Sequence, residues 1–320
     1  MRIDNLSDLR YENPTGCERP GPGFFFAVSA LPIDQQSTAK WATVVIALAV
    51  APAAAQTLPA DKPARIVSLN MCTDDLLLRL ADPARIASVT WLSRAQRGSN
   101  VADIAARLPV NHGLAEEIIP LDPDLVIAGT FSTRTAVGLL KRTRIPLVEF
   151  GIPRSIEEVR GHIRTMARLV GESQQGERII RQMDERLAAM PPVTGARPRA
   201  IVLNPNGATV GRGTLVDEIM TRAGLDNVAA TLGIDSYGLL TLETIVSNAI
   251  DVLIVSSARD EPPALATEIL KHPVIGRLSD RVRIVSMPAR LWNCGTPAVA
   301  EAIELLRREA DAFKRGRATQ

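Results

Sequence analysis

Residues 155–190 constrain the fold more than any other stretch, because they read as one long, two-part helix with a segment of similar make-up on each side. Ile156, Val159, Ile163, Met166, Ala167 and Val170 recur at three- and four-residue spacing, with Glu157, Glu158, Arg160, Arg164 and Arg168 between them. That spacing sets one apolar stripe against protein and leaves the rest in water. Ser155 followed by Glu158 is a capping-box start. Gly171 interrupts the pattern, which resumes through Ile179, Ile180, Met183, Leu187 and Met190 and stops at Pro191-Pro192. A continuous helical span resists the large backbone rotations that strand hinges permit, so a stiff hinge with small closure is expected.

The flanking segments alternate between β-branched runs and helical patterns. Residues 65–69, 85–89, 124–128 and 147–150 read as strands, with helices at 73–80, capped by Thr73 or Asp74, at 115–119 and at 135–141. Beyond the span the pattern begins again, with strands at 200–203, 251–255 and 282–286 and helices at 215–223, 242–246, 269–272 and 298–313. Such alternation predicts an α/β fold: two lobes, each a mainly parallel sheet flanked by helices, with a ligand cleft between them. The expected divisions are an N-terminal lobe over 56–153, a connecting helix over 154–190 and a C-terminal lobe over 191–320. The lobes also echo each other. Glu116 precedes Asp124 by the same eight positions that separate Glu243 from Asp251, and each Asp opens a strand, as in a structural repeat.

The first 55 residues stand apart. Lys40, the apolar run 41–50 and Ala53-Ala54-Ala55 form the three sections of a secretory signal peptide, whose apolar run is too short to span a bilayer. Residues 1–39 show no periodicity and read as a mis-assigned start or a disordered extension. Cleavage near Ala55 would place the mature chain in the periplasm, without a Cys for a lipid anchor. It would remove Cys17 and leave Cys72 and Cys294 in an oxidising compartment. A net charge of +2 with no basic tract excludes electrostatic capture of nucleic acid or membrane as the first reading.

Enzyme signatures are missing: there is no GxSxG, HExxH or GxxxxGK[ST], and the turn Asn70-Met71-Cys72-Thr73 after the first strand has no glycine fingerprint. His112, His162 and His272 lie far apart, so a His-based metal site is not expected. Aromatic residues are only 3% of the chain, which draws attention to those in loops. Trp91, Phe131 and Trp292 each follow a predicted strand, where open α/β sheets bind ligands, and are candidates to hold a large, flat cargo. Arg94, Arg134 and Arg290 lie on or beside the same loops and could pair with an anionic chelate. Cys72 and Cys294 follow the first and last strands; they could be buried thiols, an interlobe disulfide, or thiolate ligands to a metal in the cargo.

From residue 64 to about 313 the chain resembles the periplasmic substrate-binding proteins of ABC importers, of the rigid-helix class that serves cobalamin, ferric siderophores and haem. The resemblance rests on PARIVSLN, AEEIIPLDPDLVIAGT, GRGTLVDEIMTRAGLDNVAA and LLTLETIVSNAIDVLIVSS, in that order, with the helical span between the middle two. It implies a monomeric, non-enzymatic receptor that binds a metal chelate and delivers it to a permease in the inner membrane. It implies that Glu116 and Glu243 dock into permease arginines, Glu117 being the rival in the first lobe, and that Trp91 and Trp292 lie near cargo-holding positions. The two cysteines depart from the family pattern. Weighed against this receptor are an exported α/β enzyme of chelatase-like type acting on a tetrapyrrole, with Cys72 or Glu243 in its chemistry, and a bare-metal receptor, which would want more clustered His and carboxylate ligands.

Overall fold

A computed structural model describes residues 62–256, 265–278 and 281–318; the expected signal peptide lies outside them. The first lobe runs β1 (Ile66–Ser68), α1 (Met71–Leu80), β2 (Ile86–Thr90), α2 (Ala102–Ala105), β3 (Val110–Asn111), α3 (Ala115–Ile118), β4 (Leu125–Gly129), α4 (Arg134–Leu140) and β5 (Leu147–Phe150). Two helices follow, α5 (Ile156–Leu169) and α6 (Ser173–Ala188). The second lobe contains β6 (Arg199–Leu203), β7 (Ala208–Val210), α7 (Leu215–Ala223), β8 (Asp226–Asn227), α8 (Val228–Thr231), β9 (Tyr237–Leu239), α9 (Leu242–Ser247), β10 (Val252–Ser256), α10 (Glu268–Lys271), α11 (Pro273–Leu278), β11 (Arg283–Met287) and α12 (Val299–Ala318).

Both main sheets are parallel, in the orders β3-β2-β1-β4-β5 and β11-β10-β6-β8. Alternate residues of each strand serve different cores, as the pleat requires. Val67, Val126 and Ala128 pack outward on Ile118, Val137 and Leu140, and Ile201, Leu203, Leu253 and Val255 pack outward on Val228, Ile245 and Ile275. The opposite faces, with Ile66, Leu125 and Ile127 from one sheet and Ala200, Val202, Val252 and Ile254 from the other, share one central core with α5, α6, α7 and α12. Burial on both faces explains why these strands read as continuous apolar runs.

The apolar stripe of α5 is buried as its spacing predicts, from Ile156 to Val170, and Ser155 Oγ accepts the Glu158 N–H at 3.1 Å. The connecting segment nonetheless departs from a continuous span. Gly171, at φ +73, ends α5 with a left-handed turn in which the Glu172 N–H reaches the Ala167 carbonyl at 2.7 Å. The chain reverses there, and α6 returns antiparallel along α5. Arg160 pairs with Asp184 at 2.7 Å and Arg164 with Glu177 at 2.8 Å, contacts that a straight helix could not make across 24 and 13 residues. Periodicity reports which face is buried but not whether the buried partner is the helix's own continuation, so the hairpin was not legible in it. α5 touches both lobes: the Ile156 N–H donates to Glu218 of α7 at its start, and the Val170 carbonyl accepts from Arg85 of the first lobe at its end.

The cap of α1 is also shifted from expectation. Asn70 fills it, its Oδ1 accepting the Cys72 N–H at 2.9 Å. Asp74 instead turns into the protein, where Oδ2 accepts the Thr90 N–H at 3.0 Å, the Thr90 hydroxyl at 2.6 Å and the Ser93 hydroxyl. A small antiparallel ribbon, β7–β9, has no counterpart in the sequence reading.

Candidate functional site

The carboxyl ends of β1, β4 and β5 open into a cleft closed from the other side by the second lobe. Asn70, Cys72, Gly129, Thr130, Phe131 and Phe150 come from the first lobe. Leu215, Val216, Tyr237, Trp292 and Asn293 come from the second, and His162 of α5 lies between. The cavity there is about 180 Å³, and a second of about 330 Å³ adjoins it, sharing Val216, Tyr237, Trp292 and Asn293. This is the crevice position expected for parallel sheets.

The expected aromatic residues behave differently from one another. Phe131 lines the cleft and is 71% exposed. Trp292 also lines it but is only 5% exposed and belongs to the central core, so it is first a packing residue whose rim faces the cavity. Trp91 is 51% exposed, stands 6.2 Å from the His112 ring, and is not among the cleft's lining residues. Its turn is held from below by the three hydrogen bonds to Asp74. Tyr237, which sequence reasoning missed, is 62% exposed and lines both cavities. The only signal for it was a lone aromatic between two glycines, Gly233 and Gly238.

None of the three expected arginines reaches the cleft. Arg94 is used up on the Leu108 and Ala105 carbonyls, at 2.5 and 3.3 Å. Arg290 donates to Asn100 Oδ1 at 2.9 Å, lies 3.6 Å from Glu301, and borders a separate cavity on another face. Arg134 is exposed in the first turn of α4. Arg94 and Arg290 lie after the strands as read, whereas Arg134 opens a helix; the direction of each side chain, which depends on nearby carbonyls and carboxylates, was not legible. Among the described residues the cleft's lining holds no Lys, Arg, Asp or Glu. Its one imidazole, His162, is half-buried edge-on to Phe150 at 5.4 Å, and burial pulls its pKa below the usual histidine value, keeping the ring neutral.

Cys72 and Cys294 form a disulfide across the floor of this cleft, with Cα atoms 5.1 Å apart. Of the three alternatives open in the sequence, the structure selects the interlobe disulfide. No group of three or more His, Cys, Asp or Glu poised to hold a metal is present among the described residues.

Glu116 and Glu243 occupy matching places, in the first turn of α3 and of α9, and both are exposed. Hydrogen bonds from its own N–H and from Thr241 hold the Glu243 carboxyl below the usual range. The rival Glu117 is engaged elsewhere: it accepts the His112 N–H at 2.6 Å and meets His112 Nδ1 at 2.9 Å.

Comparison with known proteins agrees with this architecture. A cobalamin-binding protein of Halobacterium salinarum is 28% identical over 263 residues, covering 79% of this chain and 70% of the relative. In solved structures, the apo periplasmic heme-binding protein RhuT from Roseiflexus sp. RS-1 superposes with a TM-score of 0.64 at 24% identity, covering 78% of this chain and 97% of that one. The periplasmic vitamin B12 binding protein BtuF of Vibrio cholerae gives 0.59 at 16% identity, covering 79% and 98%. The family described as periplasmic binding protein matches residues 66–279, and with two parallel-sheet lobes facing one cleft the chain belongs to that family.

Proposed function

We propose that this protein is a periplasmic receptor that captures a corrinoid of the cobalamin class between its lobes and delivers it to an ABC permease. The observation that carries the choice is the cleft's lining: four aromatic rings, amide and hydroxyl donors, and no charged side chain among the described residues. A corrinoid is broad, apolar on its faces and fringed with neutral amides, so such a wall suits it. An anionic ferric catecholate would leave its charge unpaired there, which is costly. The cobalamin-binding relative supports the same reading. Delivery is assigned to Glu116 and Glu243, export to a signal peptide ending near Ala55, and the working state to a monomer.

One observation favours a haem instead. The neutral imidazole of His162 faces the cleft and is a competent axial ligand for iron. Titration calorimetry with cyanocobalamin, hemin and a ferric catecholate separates the readings. Cyanocobalamin should bind one per chain and leave unchanged. Tighter binding of hemin, with a Soret shift lost in His162→Ala, would replace corrinoid by haem; turnover of either ligand by purified protein would replace the receptor by the chelatase-like enzyme.

A further inference from the structure

The chain passes between the two main sheets once, through residues 151–198, so the peptide backbone supplies a single covalent crossing. The disulfide supplies a second, joining residues 222 positions apart. Cys72 opens α1 directly below the cleft, and Cys294 lies in the segment after β11. That segment is tied at two further points, once to the first lobe and once to the start of the crossing. The Asn100 amide donates to the Arg290 carbonyl at 2.7 Å while Arg290 donates back to Asn100 at 2.9 Å. Gly295 lies flat on Pro153, where a Cβ would come within 2.0 Å of the proline ring, so only glycine permits the approach. The first crossing has its own ties, Arg154 to the Gly213 carbonyl at 3.0 Å and the Ile156 N–H to Glu218 at 2.8 Å.

A body joined to another along one line can bend and twist about it; joined along two, it keeps only the bend about the axis through both. We propose that the Cys72–Cys294 disulfide is a redox-dependent latch that fixes the inner end of the cleft and confines lobe motion to that single bend. Cys72 lines the cavity, so a small dithiol reaches the bond through the cleft, whereas Cys294 is buried. The dithiol gives up two electrons and closes to its own disulfide; the Cys72–Cys294 bond breaks, and each sulfur takes a proton. The segment 289–296 is then held by the Asn100–Arg290 hydrogen bonds and by packing alone, and the lobes gain a twist that the oxidised form lacks. This inference does not depend on which cargo is bound.

The test is amide hydrogen exchange on the ligand-free protein, oxidised and after treatment with dithiothreitol, with thiols counted by alkylation and mass. Reduction should raise exchange in residues 70–76 and 289–296 on the order of tenfold while α5, β1 and β6 keep their protection. Cys72→Ser/Cys294→Ser should match the reduced form and ignore dithiothreitol, which supplies the reading even if the folded protein resists reduction. Unchanged exchange in both segments of the serine variant would overturn the latch. So would a uniform rise that includes α5 and the sheet cores, which marks general destabilisation.

Discussion

Asp124 reaches back from the start of β4 to the start of β1, where its carboxylate accepts the Arg65 N–H at 2.9 Å, while the Arg65 guanidinium donates to the Leu121 carbonyl at 2.6 Å. The second lobe repeats the clasp. Asp251 accepts the Arg199 N–H at 2.8 Å, and Arg199 Nε donates to the Ala249 carbonyl at 2.6 Å. The repeat seen in the spacing of Glu and Asp is therefore a repeat of bonding as well. Asp124→Ala and Asp251→Ala should each lower unfolding free energy by about 1–2 kcal/mol, the worth of charge-assisted bonds at an exposed site. Urea unfolding should show the two losses to be similar, and cargo affinity should stay unchanged.

Within the cleft, exposure separates candidate binding residues from packing residues. Tyr237→Ala and Phe131→Ala should each weaken cyanocobalamin binding by on the order of 1–3 kcal/mol with little change in melting temperature. Trp292→Ala should lower stability by roughly 3–5 kcal/mol, because it empties part of the central core. Calorimetry and thermal melts on the same three variants decide this; normal binding by Tyr237→Ala would remove the ribbon β7–β9 from the site.

Much of the scaffold was legible because buried parallel strands are written as β-branched runs and the helices carry clear apolar spacing. β3 and β8 have two residues each and the ribbon strands three, too short for any period to register. The reversal at Gly171 left only an interruption in the pattern, since α5 and α6 bury their stripes in the same core. At the site, positions after strands were readable but side-chain directions were not: Arg94 and Arg290 turn to partners that only the folded chain supplies. The pairing of Cys72 with Cys294 required bringing the ends of two sheets together, and sequence gives no geometry for that.

Buried Asp74 makes a prediction about pH. Burial raises its pKa from 3.8 to about 6, outweighing the hydrogen bonds from Ser68, Ser93 and Thr90 that pull it down. The folded protein thus holds the proton more tightly than the unfolded chain, and the group's contribution is most favourable below pH 3.8 and is lost as pH rises through about 6. Asp74→Asn removes this titration while keeping the shape. The stability of the wild type relative to the variant should fall by about 2.4 kcal/mol between pH 4 and 7, most of the full difference at 1.36 kcal/mol per pKa unit. Chemical unfolding of both proteins across that range measures it; parallel curves would show that the carboxyl does not titrate there.

For delivery, Glu116→Ala/Glu243→Ala should leave cargo affinity and stability nearly unchanged yet abolish uptake in vesicles reconstituted with the permease, because paired charges at an interface set orientation and on-rate. Glu117→Ala should instead loosen the turn at His112, whose N–H and ring it holds, without stopping uptake. Loss of uptake from Glu117→Ala alone would move the docking contact by one residue.

The absence of charge from the cleft's described lining has a consequence for how the two tasks respond to their surroundings. Under the proposed function, capture by apolar faces and neutral amides would involve no counterion exchange, so its equilibrium should be nearly indifferent to dissolved salt, whereas docking through Glu116 and Glu243 would fall within reach of ionic screening, whose length is about 8 Å at physiological strength. A periplasm whose osmolarity swings with the outside medium would then leave loading untouched and throttle only the hand-over.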